Sequence, residues 1–329
     1  MIVSKKRSPK TVRRKTSSRT KSSATKLLLP AAKPTAQDKK KDEARRRACR
    51  PFLKLPHEAE DWRRQVTYTL TEKLGQGATA QVYRAYNDEG EEFAVKVVPK
   101  YRIILMKKQR FDAEVKLHQR LSHPGIVRFR RCFEDDDYVY IVMELCANKS
   151  LAHLVRDPMS ERLVRTNMKA IVQAVDYLHR RNIVHRDLKL GNIMVDKDLK
   201  PKVGDFGLAA VVRENKRTSV CGTPHFVAPE VKTRKGYDQA ADIWSIGAIA
   251  YKLLFGRYHD DISSLWIGSE KVDFAQVKDV ALPTHIAISD EAKDFLASTL
   301  AISPASRPTA QQLLEHRFLV VSKRTTKEK

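Results

Sequence analysis

From Tyr68 the chain turns to alternation of apolar and polar residues, in YTLTEKL at 68–74 and QVYRAYN at 81–87, followed by the apolar-rich EEFAVKVVPK at 91–100. This pattern predicts three β-strands, and NDEG at 87–90 supplies the turn that makes the second and third a hairpin. Residues 104–121 change to a helical period and predict one helix. IVRFRRCF at 126–133 and YVYIVMEL at 138–145 predict two further strands around the acidic turn at 135–137. Beyond Cys146 helical spacing dominates, with Val164, Met168, Ile171, Val175 and Leu178 on one face. IMV at 193–195 reads as a short strand. The reading is an α+β protein: a small antiparallel β-rich part over 67–146 with one helix, and a larger, mainly helical part over 147–320. No internal repeat is seen.

Composition changes this picture mainly at the N-terminus. Of the net charge of +24, most falls in residues 1–66, which hold 21 Lys+Arg against 6 Asp+Glu. That segment, rich in Ser and Thr, cannot bury enough apolar surface to order itself, and a disordered basic tail is expected, with a short basic tail again at 321–329. KKRSPK and VRRK suit a nuclear import receptor, a nucleic acid or an acidic microtubule surface; a solvated tail without a partner remains the alternative. A transit peptide would share the bias, but the weak apolar periodicity counts against it. No apolar run reaches the roughly 18 residues of a membrane span. The four cysteines, Cys49, Cys132, Cys146 and Cys221, are widely spaced and point to a reducing compartment without disulfides.

Candidate chemistry lies in three places. LGQGATAQV, from Leu74 through Gly75, Gln76, Gly77, Ala78, Thr79, Ala80 and Gln81 to Val82, has GxGxxG spacing with alanine third, and a strand rather than a helix follows. Glycines let a backbone approach a phosphate closely, although a hairpin turn alone would explain them. Lys96 sits in AVKVV after Ala94, where burial demands an acid or a phosphate partner unless the residue faces outward; Glu114 in the following helix could supply it. HRDLKLGN at 185–192 crowds polar residues before a strand: Asp187 can accept a proton, Lys189 can neutralise a phosphoryl group and Asn192 can help hold a metal. Asp205 in VGDFGLA adds the carboxylate that Mg2+ prefers. No Cys-His or Ser-His nucleophile pair accompanies them. That suits phosphoryl transfer, which asks for positioning and charge neutralisation.

In this order, with APE at 228–230, DIWSIG at 242–247 and Arg307 in SRPT, the chain resembles the eukaryotic protein kinases over residues 74–307. VVPK at 97–100, FEDDDYVYIVMELC, HRDLKLGN and CGTPHFVAPE are similar to the polo-like Ser/Thr kinases, with the Aurora group next. The resemblance implies a two-lobed kinase fold, ATP and Mg2+ as cofactors, and these roles: Lys96 paired with Glu114 and the nucleotide, Asp187 as base, Lys189 at the γ-phosphate, Asn192 and Asp205 on the metal. Met143 would be the gatekeeper, with Glu144 to Cys146 as the hinge. Arg186, Glu230, Asp242 and Arg307 would be structural.

The segment between DFG and APE resembles an activation loop, so an upstream kinase is an expected partner. Ser219 aligns with the activating site, Thr218 is its rival, and Arg186 could receive the phosphate. Thr223 would face Asp187 and the substrate. Ser150 and Leu190-Gly191 stand where arginine-selecting kinases tend to carry acids, so substrates with acidic residues near the acceptor are expected. The resemblance implies a monomeric kinase domain and a nuclear or cytoplasmic location, extending to the spindle or centrosome. Departures are the alanine third in the glycine loop, RYHDDISSLW after LLFG, and an end eleven residues after HRF, without room for a polo-box module. A divergent kinase, a fragment, or one targeted by its basic tail all remain open. So do two other classes, an ATP-binding pseudokinase scaffold and a basic nucleic-acid- or microtubule-binding protein.

Overall fold

The computed structural model describes residues 53–106, 108–212, 219–233, 236–258, 283 and 286–320. Two lobes are built as the hydrophobic pattern implies. The first is a six-stranded antiparallel sheet: β1 (His57–Asp61), β2 (Val66–Gln76), β3 (Gln81–Asn87), β4 (Glu92–Pro99), β5 (Phe129–Glu134) and β6 (Tyr138–Glu144), in the order β1-β2-β3-β4-β6-β5. Period-two alternation sorts its side chains into two cores. Phe93, Val95 and Val97 pack with Tyr68, Tyr83, Tyr140 and Val142 on one face. On the other, Val98, Val139 and Ile141 pack with Ile103 and Phe111 of two helices, α1 (Lys100–Met106) and α2 (Lys108–Gln119).

Two boundaries differ from the sequence reading. The helical stretch starts at Lys100 rather than 104 and comprises two helices, where one was expected. A strand also precedes residue 67: β1 pairs with β2 from His57 opposite Leu70 to Asp61 opposite Val66. Its sequence, HEAED, buries only Ala59 and Asp61. With three acids in five residues, a half-buried edge strand looks like polar tail.

The second lobe centres on α4 (Glu161–His179) and α6 (Ala240–Phe255), joined by α7 (Asp290–Thr299) and α8 (Ala310–Leu314) in one core. In α6, 14 of 16 residues are buried, as befits a helix apolar on nearly every side. Gly256, at φ +69°, ends it in the left-handed conformation that glycine tolerates. Shorter elements position the chemistry: α3 (Leu151–Leu154), α5 (Pro229–Thr233) and the strands β7 (Ile183–Val184), β8 (Ile193–Val195), β9 (Pro201–Val203) and β10 (Ala210–Val211). β7 pairs with β10, and β8 with β9. No helix among the described residues is long and apolar enough to cross a membrane.

Candidate active site

The two small strand pairs bring two loops together. Residues 185–192 link β7 to β8 and residues 204–209 link β9 to β10, so both loops leave adjoining strand ends. Gly204 N donates to Asn192 O at 2.8 Å, and His185 Nε2 donates to Gly204 O at 3.0 Å. His185 Nδ1 accepts from Asp187 N at 3.3 Å, so the two ring nitrogens tie the start of one loop to the start of the other.

Strand alternation accounts for Lys96. On β4 it shares the helix-facing side with Ala94 and Val98, beside Val82 of β3 and Ile141 of β6, while Ala94 stands opposite Met143. From there Nζ reaches Glu114 Oε1 of α2 at 2.7 Å and Asp205 Oδ1 at 3.4 Å. Burial pulls the ammonium pKa down, but Glu114 and Asp205 outweigh it and hold the group above its ordinary value. The positive charge beside Asp205 dominates there and keeps its carboxyl below the usual range. Half of the Asp205 side chain remains open, and its φ of +58° is unusual for a non-glycine residue. Gly207 lies close by: a Cβ there would sit 3.3 Å from Asp205 Oδ1 and 3.4 Å from Glu114 Oε2.

Asp187 is held from three sides. Thr223 Oγ1 donates to Oδ1 at 2.7 Å, Lys189 Nζ lies 2.9 Å from Oδ2, and Asn192 Nδ2 donates to Oδ2 at 3.0 Å and to the Asp187 carbonyl at 2.8 Å. Lys189 also donates to Thr223 Oγ1 at 2.8 Å, tying the loop after residue 218 to this cluster. Asn192 spends its amide nitrogen on Asp187, which points its oxygen to a different use. Below lies Asp242, fully buried at the start of α6, accepting from the backbone of His185 and Arg186 at 2.8 and 2.9 Å and from His179 Nε2 at 3.0 Å. Burial works against its ionisation, but the bond from His179 and the backbone N–H of His185 win and lower its pKa.

The glycine loop turns through Gly77 N donating to Ala80 O at 2.9 Å. A Cβ on Gly75 would meet nothing within 4 Å, and one on Gly77 only Ala80 O at 3.8 Å. Packing within the protein therefore does not demand glycine at either place; close approach of a ligand would.

A model of the protein kinase domain matches residues 68–319. The chain belongs to the protein kinase family. Cell cycle serine/threonine-protein kinase CDC5/MSD2 of Saccharomyces cerevisiae is 38% identical over 253 residues, covering 74% of this chain and 35% of that protein. Serine/threonine-protein kinase polo of Drosophila melanogaster is 37% identical over 276 residues, covering 82% and 47%, and PLK2 of Mus musculus 33% over 259 residues, covering 77% and 37%. The kinase chain thus spans less than half of the length of these relatives.

In this kinase the remaining candidates fall around the same site. Met143 and Glu144 end β6 and Cys146 follows, its thiol pushed up to about 12 by burial. The Glu144 side chain is engaged within the protein: it pairs with Lys202 Nζ at 2.9 Å and accepts from Arg128 N at 2.7 Å, fastening the end of β6 to β9. Arg186 NH1 lies 3.1 Å from Ser219 Oγ. Glu230 and Arg307 form a two-pronged pair at 2.7 and 3.0 Å, with the Arg307 side chain fully buried. Thr218 and both basic tails, apart from the stretch after residue 52, lie outside the described residues. Sequence reading missed Tyr237, Lys202, His179 and the packing of Phe206 between His118, tilted at 4.7 Å, and His185, edge-on at 5.3 Å. Tyr237 and Lys202 gave no signal, because neither belongs to a motif whose spacing marks chemistry.

Proposed function

We propose that this chain is a Ser/Thr protein kinase that transfers the γ-phosphate of ATP to protein hydroxyls. The observation that carries the reading is the convergence of Asp187, Lys189, Asn192 and Thr223 beside the Lys96–Glu114–Asp205 chain. Protein kinases use ATP with Mg2+, and the donor set fits: one half-open carboxylate and one amide whose nitrogen is already engaged leave two oxygens for a hard cation that also takes phosphate and water.

When bound, MgATP supplies the phosphoryl group and a cation that shares its developing charge. Lys96 would hold the nucleotide phosphates, kept charged by Glu114. Asp187 would orient the acceptor hydroxyl and take its proton, and Lys189 would face the transferring group. Asn192 and Asp205 would hold the metal. Phosphorylation of Ser219, toward which Arg186 already points, would activate the kinase. The relatives named for the cell cycle support a cell-division role, with a nuclear or cytoplasmic location. The test is phosphate incorporation into casein and into the chain itself from labelled MgATP. Transfer by wild type, its loss in Asp205→Asn and a reduced rate in Ser219→Ala are expected; ATP binding without transfer, even after treatment with an upstream kinase, would replace the enzyme by a scaffold.

A further inference from the structure

Tyr237 is almost entirely buried, at 1% exposure, five residues before Asp242. Its hydroxyl donates to the Ser219 carbonyl at 2.9 Å and accepts from Arg186 NH1 at 3.2 Å, with Ser219 Oγ at 3.4 Å and Cys221 Sγ at 3.5 Å. A phenol has one proton and two lone pairs, so the bond to the Ser219 main chain uses its only proton. Burial raises its pKa, so that proton stays in place at neutral pH. Arg186 is itself fixed, through Asp242 Oδ1 at 2.9 Å and Leu208 O at 2.6 Å.

We propose that Tyr237 is a positioning residue whose hydroxyl holds residues 219–223 on the catalytic loop through the main chain, whatever the Ser219 side chain carries. Three fastenings act within five residues. Thr223 is bonded to Asp187 and Lys189 at one end. Gly222, at φ +111°, passes so close to the catalytic loop that a Cβ would stand 2.9 Å from Arg186 O. At the other end, among the described residues, Tyr237 grips the Ser219 carbonyl; the Ser219–Arg186 contact is a side-chain bond that substitution or modification would change. The loop therefore keeps a fastening that does not depend on phosphorylation. Tyr237 touches no reacting atom and acts through Thr223, which bonds Asp187.

The inference rests on the phosphotransfer reading, so the test has two readouts. In the full chain, Tyr237→Phe removes one oxygen and keeps the ring. With Ser219→Ala and the double variant, it is assayed for kcat and for KM toward peptide and ATP, and for hydrogen exchange of residues 219–223. Expected are a kcat lowered roughly three- to tenfold, the size of one or two lost hydrogen bonds, an unchanged KM for ATP, a drop at least as large in the Ser219→Ala background, and faster exchange confined to 219–223. Unchanged exchange there, protection lost across the whole domain, or an effect that vanishes in the Ser219→Ala background would each overturn it. Absence of transfer by wild type would instead remove the kinase reading, while the exchange data would still decide whether Tyr237 holds the loop.

Discussion

At Lys96 three forces meet on one ammonium group. Burial would discharge it, and two carboxylates keep it charged. The signs determine the pH window. The Lys96 pKa is raised above 10.5, so its contribution to stability is complete below that value and is lost only as pH climbs through the raised one. The Asp205 pKa lies below 3.8, so its contribution is complete above that value and is lost as pH falls through the lowered one. Neither group should shape the activity profile near neutrality. Glu114→Gln takes away the larger upward pull and leaves burial opposed only by Asp205 at 3.4 Å. The expected result is a loss in kcat/KM of about 10²-fold, comparable to removing one preorganised charge partner, together with an alkaline limb that moves toward neutral pH. A profile of kcat/KM against pH checks both; a limb in the wild-type position would mean that Glu114 does not set the charge of Lys96.

Elements place these residues, and that placement was partly legible. Alternation along AVKVV puts Lys96 on the side of the sheet that the helix covers, so the Lys96–Glu114 pair follows from strand period and helix order. β1 could not be read that way, because an edge strand with two buried positions in five lacks the apolar run that identifies a strand. The Tyr237 contacts were invisible for another reason: they join segments 18 and 51 residues apart, and no local pattern encodes such a meeting. Element contacts also fix two outcomes. Gly222→Ala would press a methyl within 2.7 Å of Val227 Cγ2 and 2.9 Å of Arg186 O, in a backbone conformation that L-residues avoid. A kcat at least tenfold lower is expected, with a melting temperature that moves much less than the rate, since the strain falls on the loop. His118 is buried against Phe129 and Phe206, and burial lowers its pKa despite the bond from Nε2 to Val127 O at 2.8 Å. The unfolded chain then binds the proton first, so stability is complete above about 6.5 and falls as pH drops, by at most about 1.4 kcal/mol per pH unit from this group. Melting curves from pH 7.5 to about 5 should show a shallower decline in His118→Met than in wild type.

For the molecule as a whole, stability and charge are arranged in different places. The fully buried Arg307 holds Glu230, the carbonyls of Ala240, Ala301 and Ile302, and the ring of Trp244 at 5.0 Å, joining α5, α6 and the segment before α8. Glu230→Gln leaves a buried cation without its counter-charge, at a cost of about 3–5 kcal/mol, and thermal unfolding should fall by on the order of 10 °C. The excess positive charge lies elsewhere. Residues 53–66 carry three basic and three acidic residues, whereas residues 1–52 carry 18 Lys+Arg against 3 Asp+Glu. The boundary of the sheet is therefore also the boundary of the basic segment, and β1 belongs electrically to the folded part. Because the groups proposed for phosphoryl transfer all lie from Leu74 onward, whereas attraction to a polyanion needs charge density, the two properties should separate. Deleting residues 1–52 is expected to leave the rate on a short peptide substrate essentially unchanged and to weaken retention on a polyanion column, with a flatter dependence on salt. If the deletion instead abolishes transfer to the peptide while the protein still melts cooperatively, the basic segment acts on the catalytic lobe pair itself and cannot be only a targeting arm.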